Sequence, residues 1–177
     1  MFLHVKDLAL HPVEVKRSFL PGTIDYRGQE FRQAEPMNVV ASAELVGREI
    51  HIVGHLETTV ELACARCLEG VVQEVRRDFD LFYRPLSTVA GEEEIALDEE
   101  ELEIGFYSGD GLFLSDVLAE QVILSLPMKP ICKADCRGLC PHCGANLNRE
   151  RCGCVESSVD PRLSGLAQIK EQWWKKQ

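Results

Sequence analysis

The sequence lacks both a long hydrophobic run and an excess of positive charge. No apolar stretch approaches the ~18 residues of a membrane-spanning helix, and Lys6, Asp7 and Glu14 interrupt the beginning of the chain, so no signal peptide is expected. With 19 basic against 29 acidic residues, the formal net charge is -10. This charge disfavours general nucleic-acid binding, which rests on clustered lysine and arginine. We therefore expect a cytoplasmic protein that does not associate with membranes.

The sequence also lacks the patterns of common enzyme sites. It shows no Ser-His-acid set, no glycine-rich phosphate loop and no zinc site with an open position. His51 and His55 have a spacing that suits metal binding on a helix, but on a strand it separates the side chains by about 13 Å. We therefore expect no enzymatic activity and no small-molecule substrate.

Eight cysteines stand out against these absences, and they form four close pairs. In a reducing cytosol this usage indicates metal ligation or redox chemistry more often than disulfides. Two thiolates joined by a short turn can reach one ion at ~2.3 Å, and a second pair completes a tetrahedron. The pairs, which together predict two metal sites, are Cys64 and Cys67, Cys132 and Cys136, Cys140 and Cys143, and Cys152 and Cys154.

The last two pairs lie close enough along the chain to form one site by themselves. Their segment begins with CPHCG, which resembles a metal knuckle. In such a knuckle Gly144 would adopt the positive φ that lets backbone amides point at sulfur. His142 lies inside the knuckle and is expected to be exposed, because its neighbours already supply four sulfur ligands.

The first two pairs would then form a second site, split between distant parts of the chain. The segment LACARCLEG places Cys64 and Cys67 at the tip of a predicted hairpin. Zinc bound there together with the pair at 132 and 136 would constrain a long loop as well as a local one. Two alternatives stay open: the pairs can be exchanged between the sites, or the chain binds one zinc ion and keeps four free thiols.

A thiol redox function is the competing interpretation of C-P-H-C, which resembles the active-site motif of a dithiol oxidoreductase. That chemistry needs a partly exposed cysteine at a helix N-terminus. Here the motif is followed by GANLN, which is typical of turns, and no βαβ pattern surrounds it. The residues favour a structural metal site.

Apolar and polar residues alternate over residues 38–83, which predicts an antiparallel meander. Its three strands are NVVASAELV, EIHIVGHLETTVEL and GVVQEVRRDFDLFYRP, and Gly54 interrupts the pattern of the second. Gly47-Arg48 forms the turn between the first two strands. The N-terminal segment is expected to join the sheet. LSDVLAEQVILSLP predicts a helix with Ser115 as N-cap and Pro127 at its end. Its predicted apolar face consists of Leu114, Val117, Leu118, Val122 and Leu124. A second helix begins at Asp160.

We therefore expect an α+β fold: an antiparallel β meander or partial barrel with two packed helices and a Cys-rich, zinc-binding C-terminal segment. Residues 1–126 would form the β-rich domain, with an acidic segment at 87–105 and the helix at 115–126. Residues 127–177 would hold the Cys-rich segment and the C-terminal helix, expected to form one structural unit. The acidic segment is either a solvated loop or a docking surface for a basic partner.

Three motifs together resemble the YceD-like family of bacterial and plastid proteins, which is linked to accumulation of large-subunit ribosomal RNA. They are CARCLE, LPMKPICKADCRGLCPHCGANLNRERCGC and DPRLSGLAQIK, and they cover roughly a quarter of the chain. The family's Cys-x-Arg-Cys falls on Cys64, Arg66 and Cys67. The resemblance implies a non-catalytic role in ribosome biogenesis, to which the thiols would add one or two structural zinc ions.

Two working surfaces follow from that implied role as hypotheses. In the first, basic side chains near the zinc loops contact large-subunit ribosomal RNA, unless they are ordinary solvated loop residues. They are Arg66, Lys133, Arg137, Arg149 and Arg151. In the second, the acidic face and residues 92–103 hold a basic large-subunit ribosomal protein before it meets RNA. A zinc-stabilised interaction module outside the ribosome is a further alternative.

Overall fold

The computed structural model describes residues 1–86 and 104–154. Their fold is α+β and mostly antiparallel, as predicted. The chain divides into two compact units, residues 1–136 and 137–177. The first unit extends beyond the predicted boundary at residue 126, because Cys132 and Cys136 pack against the hairpin at Cys64 and Cys67.

Strands dominate the described part of the first unit. In chain order the elements are β1 Phe2–His4, α1 Val5–Leu8, β2 Val13–Phe19, β3 Phe31–Gln33, β4 Met37–Val46, β5 Glu49–Ala63, β6 Gly70–Pro85, β7 Gly105–Tyr107, β8 Gly111–Phe113 and α2 Leu114–Ser125.

The main sheet contains the predicted meander as its centre. Strands β4, β5 and β6 are joined antiparallel, and β2 adds the N-terminal segment beside β4. Strand β3 pairs with the second half of β5, and β7 continues beyond β6 as a parallel neighbour. Gly47 makes the predicted turn with a φ of 65°. Within the described residues the sheet is open, so the meander and not a closed barrel is the architecture.

The core lies on one face of this sheet, where the alternating apolar residues meet. Those of the three central strands that are buried are Met37, Val39, Ala41, Ala43, Ile50, Ile52, Leu56, Val60, Leu62, Val75, Phe79 and Tyr83. Gly54 belongs to the same face and does not interrupt β5. A Cβ at this position would lie 2.6 Å from the Cβ of Ala41 and 2.7 Å from the Cζ of Phe79, so glycine allows the close approach of the strands.

Helix α2 covers part of that core through Leu114, Val117, Leu118 and Val122, as predicted. The prediction that Leu124 shares this face is wrong, since its side chain is 65% exposed.

The start of α2 also differs from the prediction, because Ser115 is not its N-cap. The cap position is Phe113, which makes no side-chain capping bond. Strand β8 runs directly into the helix, and the Leu114 amide donates to the Met1 carbonyl at 3.0 Å. The pairing of β8 with the N-terminal strand β1 thus provides an acceptor for the first amide of the helix, in place of a serine cap. The second predicted helix and nearly all of the acidic segment lie outside the described residues.

Across residues 1–86 and 104–154, no helix has both the length and the apolar character needed to span a membrane.

Candidate metal centres

The structure gathers the eight cysteines, all as free thiols, into two groups of four. Within each group the sulfur atoms all lie within 4.8 Å of one another. The split cluster consists of Cys64, Cys67, Cys132 and Cys136, and the local cluster consists of Cys140, Cys143, Cys152 and Cys154. This is the grouping favoured by the sequence, and the exchanged pairing is not adopted.

The sulfur positions of the split cluster fit a four-coordinate metal ion. The Sγ atoms of Cys64 and Cys136 are 3.9 Å apart, and those of Cys67 and Cys132 are 3.6 Å apart. A tetrahedron with metal–sulfur bonds of ~2.3 Å has its sulfur atoms about 3.8 Å apart. The arrangement can therefore accept such an ion with little movement of the side chains.

The hairpin between β5 and β6 presents the first two thiols of the split cluster on a tight turn. The amide of Leu68 donates to the Cys64 carbonyl at 3.0 Å, and the Cys64 amide donates to the Glu69 carbonyl at 2.8 Å. The Arg66 amide points at the Cys64 Sγ, 3.4 Å away. Leu68 adopts a φ of 61°, which is unusual for a residue other than glycine.

The local cluster begins with a turn that has the same hydrogen bonds. The Gly144 amide donates to the Cys140 carbonyl at 2.9 Å, and the Cys140 amide donates to the Ala145 carbonyl at 2.8 Å. The His142 amide lies 3.5 Å from the Cys140 Sγ, and His142 is exposed. Gly144 has the predicted positive φ, at 73°.

One knuckle is therefore used twice, and the motif CPHCG marks only the second copy in the sequence. The signal for the first copy was present in the same C-x2-C spacing. Spacing alone does not identify this copy as a knuckle, because Leu68 occupies the position at which a glycine is expected.

Backbone contacts bring the second half of the split cluster to the hairpin. The Ala65 amide donates to the Pro130 carbonyl at 2.8 Å. The Cys132 amide points at the Cys64 Sγ from 3.4 Å. Two amides from different parts of the chain, those of Arg66 and Cys132, thus face one sulfur atom. This arrangement favours the thiolate form of Cys64.

The two clusters differ in burial. In the split cluster three of the four thiols are buried and Cys132 is half-buried. In the local cluster only Cys140 is buried, Cys152 is half-buried, and Cys143 and Cys154 are exposed.

Each cluster holds one thiol that ionises easily. Backbone amides, led by that of Arg66, lower the pKa of Cys64 to about 6. Backbone amides, led by that of Cys143, lower the pKa of Cys140 to about 6. A thiolate is therefore available in each cluster near neutral pH.

Each cluster also holds a thiol that resists ionisation. Burial, followed by hydrogen bonding with Cys136, raises the pKa of Cys132 to about 12. Hydrogen bonding with Cys143 raises the pKa of Cys154 to about 12. A bound cation would offset the repulsion between crowded thiolates, so both donor sets fit a soft metal ion.

The basic residues predicted to contact RNA have different surroundings. The Arg66 guanidinium donates to the Cys136 carbonyl at 2.9 Å, next to the split cluster. The Lys133 ammonium lies 3.9 Å from the Asp135 carboxylate. The other three, Arg137, Arg149 and Arg151, are exposed residues of the second unit. RNA binding by any of the five stays a prediction.

The two strand histidines pair with carboxylates on the outer face of the sheet. His51 Nε2 is 2.6 Å from an Asp80 oxygen, and His55 Nδ1 is 2.6 Å from an Asp78 oxygen. The hydrogen bond to Asp78, helped by that to Glu57, raises the pKa of His55. Neither histidine belongs to a metal-holding group among the described residues.

Comparison with known proteins matches residues 52–170, which include all eight cysteines, to the family described as Large ribosomal RNA subunit accumulation protein YceD. An uncharacterized protein of Mycobacterium tuberculosis is 33% identical over 129 residues, covering 71% of this chain and 58% of the relative. The Arabidopsis thaliana protein named Large ribosomal RNA subunit accumulation protein YCED homolog 1, chloroplastic, is 21% identical over 178 residues, covering 84% of this chain and 53% of the relative.

The chain spans little more than half the length of these curated relatives. No solved structure matches it significantly. The family match extends over well more than half of the chain and contains both thiol clusters. The chain belongs to the YceD family.

Proposed function

We propose that the chain is a non-catalytic factor that supports accumulation of large-subunit ribosomal RNA and that two zinc ions hold its working structure. The observation that carries the metal part is the pair of four-thiol clusters. The ribosomal part is supported by family membership and by the names of the plant relatives.

Zinc is the metal that best suits these donors. Four cysteine sulfurs in tetrahedral positions are typical of structural zinc and of iron–sulfur proteins. Zinc has no redox chemistry, and four protein ligands close its coordination shell. A closed shell leaves no position for a catalytic water, which supports a structural and not an enzymatic role.

The ribosomal role can be tested in cells that lack the gene for this chain. We expect a deficit of large-subunit RNA relative to small-subunit RNA, which the wild-type chain restores. Cys64→Ser should fail to restore the ratio because it removes a buried ligand, whereas Ser18→Ala, at an exposed strand position, should restore it fully. An unchanged RNA ratio in cells without the gene would refute the ribosomal role.

A second candidate function, holding a basic ribosomal protein, is supported by the outer face of the sheet. On β4, β5 and β6 this face carries the carboxylates Glu44, Glu49, Glu57, Glu61, Glu74, Asp78 and Asp80. Its guanidinium groups, those of Arg76 and Arg84, already pair with Glu74 and Glu49, and Arg32 of the neighbouring β3 pairs with Glu61. The acidic excess complements a lysine- and arginine-rich partner and repels RNA phosphates.

Salt-dependent binding distinguishes the two kinds of partner. We would measure association of the chain with basic large-subunit proteins and with large-subunit RNA fragments. Glu57→Gln combined with Asp78→Asn should weaken protein binding about tenfold at low salt, since two exposed charges leave the face. Asp116→Asn combined with Glu120→Gln on α2 is the matched control and should change little. Tight RNA binding that both double variants leave intact, without protein binding, would exclude this candidate.

A further inference from the structure

Arg66 connects the two segments that supply the split cluster. It lies between the two hairpin ligands, and its backbone amide points at the Cys64 Sγ from 3.4 Å. Its guanidinium reaches the other segment, donating to the Cys136 carbonyl at 2.9 Å and lying 3.5 Å from the Ala134 carbonyl. One residue therefore contacts a ligand of the hairpin and the turn that carries a ligand far along the chain.

The turn that Arg66 contacts is the one that aims Cys136 at the cluster. The Cys136 amide donates to the Lys133 carbonyl at 3.0 Å, which closes the turn. Two carbonyl groups of this turn, those of Ala134 and Cys136, face the guanidinium of Arg66. Because guanidinium is a rigid, planar group of donors, it can fix the orientation of two acceptors at once.

We propose that Arg66 is a positioning residue for metal binding, which clamps the Cys136 turn onto the hairpin and holds the four sulfurs near their metal-bound positions. Groups that orient metal ligands commonly change metal affinity 10–100-fold when removed. This inference rests on the proposed metal binding. It assigns Arg66 to the metal centre and not to an RNA-binding surface.

A purely electrostatic role for Arg66 makes a different prediction, and Lys133 provides the matched control. Any cation near a cluster of four thiolates and one divalent ion offsets part of its negative charge. Lys133 also lies on the Cys136 turn, but its side chain pairs with Asp135. If charge alone mattered, Arg66→Lys would behave like the wild type and Lys133→Ala would resemble Arg66→Ala.

The test measures metal release from the zinc-loaded 177-residue chain to a chromogenic chelator. All variants carry Cys143→Ser, so that release reports the split cluster. We expect Arg66→Ala to accelerate release at least tenfold, Arg66→Lys to accelerate it more than threefold, and Lys133→Ala to change it less than twofold. Equal release from Arg66→Lys and wild type, or an unchanged rate in Arg66→Ala, would overturn the proposal.

Amide hydrogen exchange in the metal-free chain separates failure of the clamp from failure of the proposed metal binding. The reporters are the amides of Ala65 and Cys136, which bond to Pro130 and Lys133. Faster exchange at both in Arg66→Ala, with the sheet amides still protected, supports the clamp even if the wild type binds no zinc. Unchanged exchange together with weaker binding of large-subunit RNA would make Arg66 an RNA contact and overturn the clamp.

Discussion

The split and local clusters begin with the same knuckle but place it in different surroundings. In the split cluster the knuckle is a hairpin tip between two long strands, and its partner thiols come from beyond helix α2. In the local cluster all four thiols lie between residues 140 and 154. The first cluster is mostly buried and the second is half exposed.

The difference shows how one local motif can serve two structural purposes. A metal ion that joins distant segments removes more conformational freedom from the unfolded chain than one that closes a short loop. The split cluster should therefore contribute to the stability of the sheet. The local cluster should mainly order its own loop and remain open to reagents.

The largest expected difference is in thermal stability. Cys64→Ser should lower the free energy of unfolding of the sheet by on the order of 4 kcal/mol, because a buried metal ligand is lost. For a chain of this size that corresponds to a fall in Tm of about 10 °C. Cys143→Ser, which removes a ligand of the local cluster, should shift the melting of the sheet by less than about 3 °C. Circular dichroism of the zinc-loaded variants measures both.

Equal decreases in Tm in the two variants would show that the two clusters contribute equally to the stability of the sheet. A larger shift in Cys143→Ser would reverse the assignment of the stabilising site.

Thiol reactivity should follow burial. In the zinc-loaded chain, alkylation of Cys143 and Cys154 should proceed at least tenfold faster than alkylation of Cys64 and Cys67, since the former pair is exposed. Peptide mass spectrometry after timed labelling gives the rate at each site. Adding a chelator should reduce the difference between the labelling rates of the two pairs. Faster labelling of the buried pair than of the exposed pair before chelation would contradict the comparison.

Proton release on metal binding should be alike in the two clusters. At neutral pH Cys64 and Cys140, with pKa values of about 6, are mostly thiolates, whereas Cys132 and Cys154, with pKa values of about 12, still carry protons. Zinc must displace those protons, so its affinity should rise with pH and fall in acid.

We expect at least one proton to leave each cluster per zinc ion bound at neutral pH. A pH-indicator dye can measure the release as zinc is added to metal-free chain, with Cys64→Ser and Cys143→Ser isolating the clusters. Zinc binding without proton release would contradict the inferred protonation states.

The smallest expected change in stability comes from the residue that follows the second cysteine of each knuckle. Leu68 is 66% exposed, and its positive φ is unfavourable for a residue that has a Cβ. Leu68→Gly should therefore raise the free energy of unfolding by up to about 1 kcal/mol. Gly144 adopts the same positive φ, so the reverse substitution, Gly144→Ala, should lower the stability of the local cluster by about 1 kcal/mol. Denaturant titration of the zinc-loaded variants measures whether the free energy of unfolding rises in Leu68→Gly and falls in Gly144→Ala. A destabilising effect of Leu68→Gly would indicate a packing role for the leucine side chain.

Local patterns in the sequence predicted the central strands and the grouping of the thiols. Alternation located β4, β5 and β6, because one face of each strand is buried in the core. Close spacing paired the cysteines, because a short turn brings two thiols to one ion.

Features that depend on distant contacts were not predictable in this way. Ser115 looked like a helix cap, but the Met1 carbonyl fills that role through pairing of the N-terminus. Leu124 looked like a core residue, yet its position on α2 leaves it exposed. Arg66 looked like a surface cation, and only the folded chain shows it bonded to the carbonyl of Cys136.

The two four-thiol clusters lead us to expect that the chain binds two zinc ions at separate sites. Native mass spectrometry combined with elemental analysis of the purified chain measures this stoichiometry. We expect two zinc ions per wild-type chain and one in each of Cys64→Ser and Cys143→Ser. A wild-type chain with one zinc ion or none, or loss of both ions from the Cys143→Ser variant, would contradict the account.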